Sequence, residues 1–268
     1  MERREFLASS LAASALAAST PEGLLQGAQK ASDMKSREFY MLRHYILPRG
    51  PQVKMADDYF RDALVPALNR LGISQVGVFN VAVGPDTPAV YVLLPSTSAE
   101  TLLTAENHLV HDAEYLKAAA PFWNADARQP AFEEMNVSLM QAFENMPKLA
   151  VPAATAQHQP RLYELRTYRS RGQQDHNRKV EMLNSAEIDI QKQVGLAPIF
   201  YSDTIAGPNM PNLIYMVSFS DYADRDKKWA AFQASSDWKS LNSQPKYPTE
   251  LVSNITNILV TPAAYSQI

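Results

Sequence analysis

The chain contains no cysteine. That excludes disulfides, thiolate nucleophiles, cysteine-ligated zinc and iron–sulfur clusters, and it fits an oxidising or a reducing compartment equally well. A surplus of either charge is also missing: 25 Lys and Arg against 28 Asp and Glu leave a net −3, so there is no electrostatic case for a nucleic-acid partner. No Gly-rich phosphate loop, Gly-x-Ser-x-Gly elbow or His-Glu-x-x-His segment occurs, so three familiar routes to phosphoryl, acyl and metal-assisted chemistry lack their signature. No apolar run reaches the roughly 18 residues that a membrane-spanning helix needs. What is present is ordinary for a globular chain, with 46% apolar and 20% charged residues, so a buried core is expected.

The N-terminus has a composition of its own. Met1-Glu-Arg-Arg-Glu-Phe-Leu7 leads into a small-residue apolar run to Ala18, with Ala13-Ser-Ala15 and Ala15-Leu-Ala17 as cleavage candidates, which is the pattern of a signal peptide. Arg3-Arg4-x-Phe6-Leu7 matches the core of a twin-arginine signal, although the usual Ser or Thr before it and Lys after it are missing. A Sec signal that happens to hold two arginines is the other reading. Residues 1–36 are therefore expected to be signal peptide and flexible leader, and the mature protein to be exported to the periplasm or the exterior.

The rest of the chain repeats itself. Tyr40, Leu42, Arg43 and Tyr45 recur as Tyr163, Leu165, Arg166 and Tyr168; Ala63, Gly72, Gly84, Pro85, Pro88 and Val137 recur as Ala186, Gly195, Gly207, Pro208, Pro211 and Val260; every pair is 123 positions apart. Such spacing indicates one duplicated αβ unit whose loop lengths were kept. Each copy opens on a strand, at 39–46 and 162–168. A helix follows, with one apolar stripe through Val53, Ala56, Phe60, Ala63, Ala67 and Leu71 and its counterpart through Val180, Leu183, Ala186, Ile190 and Val194. Gly72 and Gly195 stop the helices, and Pro66 is expected to kink or shorten the first. Strands at 76–83 and 199–206, strands at 89–94 and 213–219, a second helical region, and a last strand at 134–141 and 257–262 complete the order β-α-β-β-α-β, a ferredoxin-like split βαβ. The fold class is α+β, with units at 37–143 and 161–268 and a proline- and alanine-rich linker at 144–160.

Tyr163-Glu-Leu-Arg-Thr-Tyr168, the strand from Gly195 to Phe200, Ser220-Asp-Tyr-Ala-Asp-Arg225 with Trp229 and Phe232, and Ser236-Asp-Trp238 together resemble the NIPSNAP domain. In the first unit Tyr40-Met-Leu-Arg-His-Tyr45 and Pro66-Ala-Leu-Asn-Arg-Leu-Gly72-Ile-Ser-Gln-Val-Gly-Val-Phe79 match well, but Leu102, Glu106 and Tyr115 stand where the second has Arg225, Trp229 and Trp238. The resemblance covers about residues 37–268. It implies a dimeric α/β-barrel arrangement, with both facing sheets supplied by one chain and helices outside.

Strand alternation then groups candidate residues. Glu164, Arg166 and Tyr168 share one face of the fifth strand, and Met41, Arg43 and Tyr45 share the matching face of the first. An ion pair sits badly under an apolar helix stripe, so this face is expected between the sheets, with Arg43, Tyr45, Glu164, Arg166 and Tyr168 as ligand-binding candidates. Arg43 lacks the neighbouring carboxylate that Arg166 has in Glu164. It is left either to a ligand anion or to an acid such as Asp57 or Asp58. Tyr45 and Tyr168 read as hydrogen-bond donors or general acids in a pocket, or as core. His108 and His111, with Asp112 and Glu114, have the spacing of a weak metal candidate on a helix, without a third ligand. His44 is expected among helices or at an edge, and His158 and His176 in linker and helix start; none has a nucleophile beside it. No cofactor is expected. The reading is an exported small-ligand-binding or scaffold protein taking a small anionic or apolar ligand between its sheets, with homo-oligomers open. The alternative is a cofactor-poor oxygenase-like or haem-handling enzyme, which the related barrel families suggest.

Overall fold

The computed structural model describes residues 37–157 and 159–268. The signal peptide and leader expected at 1–36, Arg3 and Arg4 among them, and His158 lie outside the described residues. Eight strands carry the fold: β1 (Phe39–Ile46), β2 (Gly77–Val83), β3 (Ala89–Ser96), β4 (Glu134–Ala142), β5 (Leu162–Arg169), β6 (Ala197–Ala206), β7 (Asn212–Phe219) and β8 (Asn254–Pro262). All pairings are antiparallel. The order β1-β3-β2-β8-β5-β7-β6-β4 closes on itself through β4 and β1. Each module contributes four strands, and its edge strands pair with the other module at β2–β8 and β4–β6. Closure satisfies the backbone groups that an open sheet would leave at its edges.

Helices cover the outside. In the first module α1 (Pro51–Tyr59) and α2 (Val65–Arg70) form one rod, followed by α3 (Ala99–Leu109) and α4 (Ala113–Trp123). A single turn of α5 (Ala153–Ala156) lies between the modules, and the second module has α6 (Gln173–Met182), α7 (Ile188–Gln193), α8 (Tyr222–Ala234) and α9 (Ser236–Asn242). No helix among the described residues is long and apolar enough to cross a membrane. Gly72 and Gly195, at φ 81 and 86, end their helices in the left-handed region that glycine enters without a Cβ penalty.

Pro66 does not break the first rod. A π-turn at Phe60–Leu64 joins α1 to α2, and the Val65 amide donates five residues back to the Phe60 carbonyl. The second module has a π-turn at the equivalent place, Leu183–Glu187, with Ile188 donating to Leu183 and no proline near. The irregularity is therefore a property of the duplicated unit.

The uniform spacing also needs one correction. Strands β1 to β3 and the helix caps Ser98 and Asp112 align with β5 to β7, Asp221 and Ser235 at 123 positions. In the last strand, however, Tyr40 pairs with Met140 while Tyr163 pairs with Val260, so β4 and β8 correspond at 120. The Val137–Val260 match is accidental. The shorter α9, 7 residues against 11 in α4, lies in the stretch where the three residues drop out.

The core has three layers. Met41, Tyr45 and the helices of the first module form one cluster, and Leu162, Tyr168 and the helices of the second form another. Between the sheets Tyr40, Leu42, Tyr163 and Leu165 meet in a third. The face bearing Arg43, Tyr45, Glu164, Arg166 and Tyr168 thus looks out under the helices rather than into the space between the sheets. The physical reason lies in the helices, which supply the polar partners that make a charged face tolerable there.

Candidate functional site: the pocket under the second module's helices

Glu164 is fully buried and fully satisfied. It accepts from Arg166 Nη1 at 2.7 Å, from Arg225 Nε and Nη2 at 2.8 and 3.1 Å, and from Trp229 Nε1 at 2.7 Å. Arg225 and Trp229 come from successive turns of α8. Arg166 also donates to the Tyr168 hydroxyl at 3.1 Å and lies 4.4 Å from the centre of the Trp229 ring, within cation–π range. Burial works against its charge, yet Tyr215, Tyr168 and Glu164 together hold its pKa above the ordinary arginine value.

The expected residues are joined by others that pattern-reading missed. Tyr168 and Tyr215 share a hydrogen bond of 2.9 Å, and Tyr215 stacks on Tyr201 at 4.6 Å. Tyr201 donates to Gln191, whose amide donates to Glu187, and Lys179 donates to Glu187 at 2.5 Å. The Lys179 ammonium also sits 5.6 Å and 5.8 Å from the Tyr168 and Trp238 ring centres. Two hydrogen-bonded groups, Lys179–Glu187–Gln191–Tyr201 and Arg225–Glu164–Arg166–Tyr168–Tyr215, thus lie side by side under the helices as one network, joined by the Tyr201–Tyr215 stack and by Lys179 over the Tyr168 ring. Burial pushes the Tyr201 and Tyr215 hydroxyls well above their usual pKa, which keeps both neutral. The π-turn places Glu187 within reach of Lys179, one helix segment back.

The signal that locates this network is the duplication itself. At 123 positions upstream, Lys179, Glu187, Gln191, Tyr201 and Tyr215 become Ala56, Leu64, Leu68, Val78 and Val92, and each of those five is buried in the first module's apolar core. The fold is thus built without the network in one copy. Arg43 remains, but its partner has moved: Glu164 becomes Met41, while Trp229 becomes Glu106, which accepts from Arg43 Nη1 at 2.6 Å. The acid has changed from strand to helix. The anion that Arg43 required is supplied inside the protein, by Glu106 rather than Asp57 or Asp58, so nothing about Arg43 calls for a ligand. Burial raises the Tyr45 pKa, an effect that neighbouring Arg43 opposes.

A cavity of about 200 Å³ opens onto the network, walled by Trp229, Phe232, Trp238 and Tyr247 and reached by Arg166 and Lys179. Arg166 Nε is a buried donor without an acceptor among the described residues. Trp229 and Trp238, which carry the family resemblance in the sequence, thus wall a polar pocket.

The histidines fall elsewhere. His108 occupies the last turn of α3, whereas His111 lies beyond that helix's end at Leu109; both are exposed, and the described residues contain no group of three potential metal ligands. His176 is buried and contacts Asp203 at 2.7 Å. His44 lines the barrel interior instead of packing among helices.

Residues 163–267 match the NIPSNAP family model. No curated protein matches the chain. Among solved structures, an inferred monooxygenase from Lactobacillus acidophilus superposes with a TM-score of 0.55 at 6% identity, covering 84% of this chain and 94% of its own. A second from Fusobacterium nucleatum gives 0.53 at 7%, covering 84% and 92%. A NIPSNAP family protein of unknown function from Agrobacterium tumefaciens is 26% identical over 40% of this chain and 90% of its own, with a TM-score of 0.35. At such low identities the first two share a fold and nothing more. The chain thus carries a NIPSNAP domain at residues 163–267, as the second module of an α+β barrel of the dimeric α/β type.

Proposed function

We propose that the protein binds a small anionic ligand in the pocket under the second module's helices. The observation that carries this reading is the internal comparison: Lys179, Glu187, Gln191, Tyr201 and Tyr215 are buried polar residues at positions that the other copy fills with apolar side chains. Buried ion pairs are weak contributors to stability, so a network that the fold does not need is better explained by binding. Arg166 and Lys179 reach the pocket, paired with Glu164 and Glu187, while Arg225, half-buried and outside the lining, is shared between Glu164 and Asp226. Aromatic walls and the unpartnered Arg166 Nε donor suit a compact carboxylate with an apolar body.

Benzoate is a suitable probe, read through the fluorescence of Trp229 and Trp238. Saturable quenching is expected, weakened about 10- to 100-fold in Arg166→Met, since a hydrogen bond to a charged group contributes about 1.5–3 kcal/mol. Quenching that is absent, or unchanged by that substitution, would remove the reading. An absorbance spectrum of the purified protein addresses the second reading, oxygenase or haem-handling chemistry in the same aromatic-walled space: a haem or flavin band would replace binding with catalysis.

Export belongs to the same proposal, on the strength of Arg3-Arg4-x-Phe6-Leu7 and the apolar run behind it. The double Arg3→Lys, Arg4→Lys variant is expected to stay in the cytoplasm, as cell fractionation would show. Unchanged export would assign the segment to the Sec route.

A further inference from the structure

The space between the sheets is divided along the barrel axis. One end is filled by Tyr40, Phe79, Tyr163, Phe200, Met140 and Ile268. At the other end, where the β2–β3 and β6–β7 turns and the starts of β4 and β8 gather, a cavity of about 500 Å³ remains, within the range of about 300–1,000 Å³ usual for small-molecule sites. None of the network under the helices, Arg166 and Lys179 included, lines it.

Its floor is apolar and its walls are not. Leu42, Leu165, Ile214 and Ile258 form the floor. Tyr91 and Ser138, 7% exposed each, line the wall, and their hydroxyls have no hydrogen-bond partner among the described residues. Neither hydroxyl is sealed from the cavity, unlike the buried orphan His44 Nε2. Thr167 adds a third unpartnered hydroxyl. Asp86 and Glu134 face the same space and pair with no cation among the described residues, while Arg169 is held by Asn209 and Asn254. The His44 ring lies flat on Tyr91, 4.2 Å apart at 3°. Burial lowers the His44 pKa against the opposing pull of Asp86 and Glu134, which keeps the imidazole neutral.

The two modules contribute unequally. Asp86, His44 and Tyr91 correspond to Asn209, Thr167 and Ile214, and by strand register Glu134 corresponds to Asn254. The first module, which lacks the polar network under its helices, supplies the acidic and aromatic half of this mouth.

We propose that the mouth is a second ligand site, separate from the anion pocket, and that it takes a neutral polyhydroxylated ring, a saccharide. A fixed anion would meet Asp86 and Glu134, and a fixed cation would meet Arg169. A sugar hydroxyl both donates and accepts, matching a wall that alternates carboxylates, hydroxyls and amides, and the C–H face of a pyranose matches the apolar floor.

The test is a calorimetric titration of the full chain with glucose, galactose, mannose, N-acetylglucosamine and maltose at up to about 10 mM, which reaches the weak end of small-ligand binding. At least one sugar is expected to bind saturably. Tyr91→Phe, which keeps the ring, and Asp86→Asn, which keeps the shape, are each expected to weaken it about tenfold. Circular dichroism checks that the variants fold. Binding by none of the five, or binding that the two mouth variants leave intact, overturns the proposal; benzoate binding is read separately and stands or falls by itself.

Discussion

Glu164→Ala is expected to cost about 3–5 kcal/mol, seen as a fall in Tm of about 6–20 °C for a unit of this size. The carboxylate is fully buried and holds Arg166, Arg225 and Trp229 at once, so its removal leaves two guanidinium groups and an indole N–H short of an acceptor. Those groups then carry the desolvation cost without the attraction that offset it. The first module shows how the loss can be repaired. There Met41 stands at the Glu164 position and Glu106 at the Trp229 position, and Arg43 is paired. Adding Trp229→Glu to Glu164→Met should therefore be less damaging than Glu164→Met alone, because the acid is returned from the helix side. Thermal unfolding of the three variants decides it. A Glu164→Ala protein within about 1 kcal/mol of the parent would mean that the pair is not structurally coupled.

Lys179→Met is the second large effect, again about 3–5 kcal/mol, since Glu187 would be left buried without its cation, beside Gln191. Here the double change separates stability from function. Lys179→Met with Glu187→Leu removes both charges together and approaches the apolar packing of Ala56 and Leu64, so most of the loss should be recovered; replacing a buried pair with apolar groups is often neutral or stabilising. Gln191 loses one acceptor, which leaves a residual cost of about 1–3 kcal/mol. Benzoate binding should not return with stability. Urea denaturation beside the fluorescence titration gives both quantities, and a double variant as unstable as the single one would mean that the network is needed by the fold after all.

Much of the architecture was legible in the order of residues. The 123-residue recurrence of Tyr40, Arg43 and Gly72 announced two equal modules, and the alternation of strand and helix patterns within each fits the β-α-β-β-α-β order observed. Local chemistry carried these signals: glycine at helix ends, prolines in the β2–β3 and β6–β7 turns, an apolar stripe at helical period. The polar clusters were half legible. Glu164, Arg166 and Tyr168 were grouped on one strand face, but the contrast of Glu164 with Met41 pointed to Arg43, whose anion proved to be Glu106. Lys179, Glu187 and Gln191 lie on helix segments whose stripe was read only for its apolar members, yet comparison with Ala56, Leu64 and Leu68 would have singled them out.

By itself, then, the sequence determined the duplication, the element order and which side chains share a strand face. Which face looks inward was decided only by the tertiary structure. Strand β5 is buried on both sides, by helices outside and by the opposite sheet inside, so Tyr163 and Leu165 on one face and Leu162 and Tyr168 on the other are alike in burial. The two-residue period separates the faces without naming them. The acid at Glu106 in place of a strand carboxylate, and the shift of β8 to a spacing of 120, also emerge only from pairing across the fold, because each depends on a partner far away in the chain.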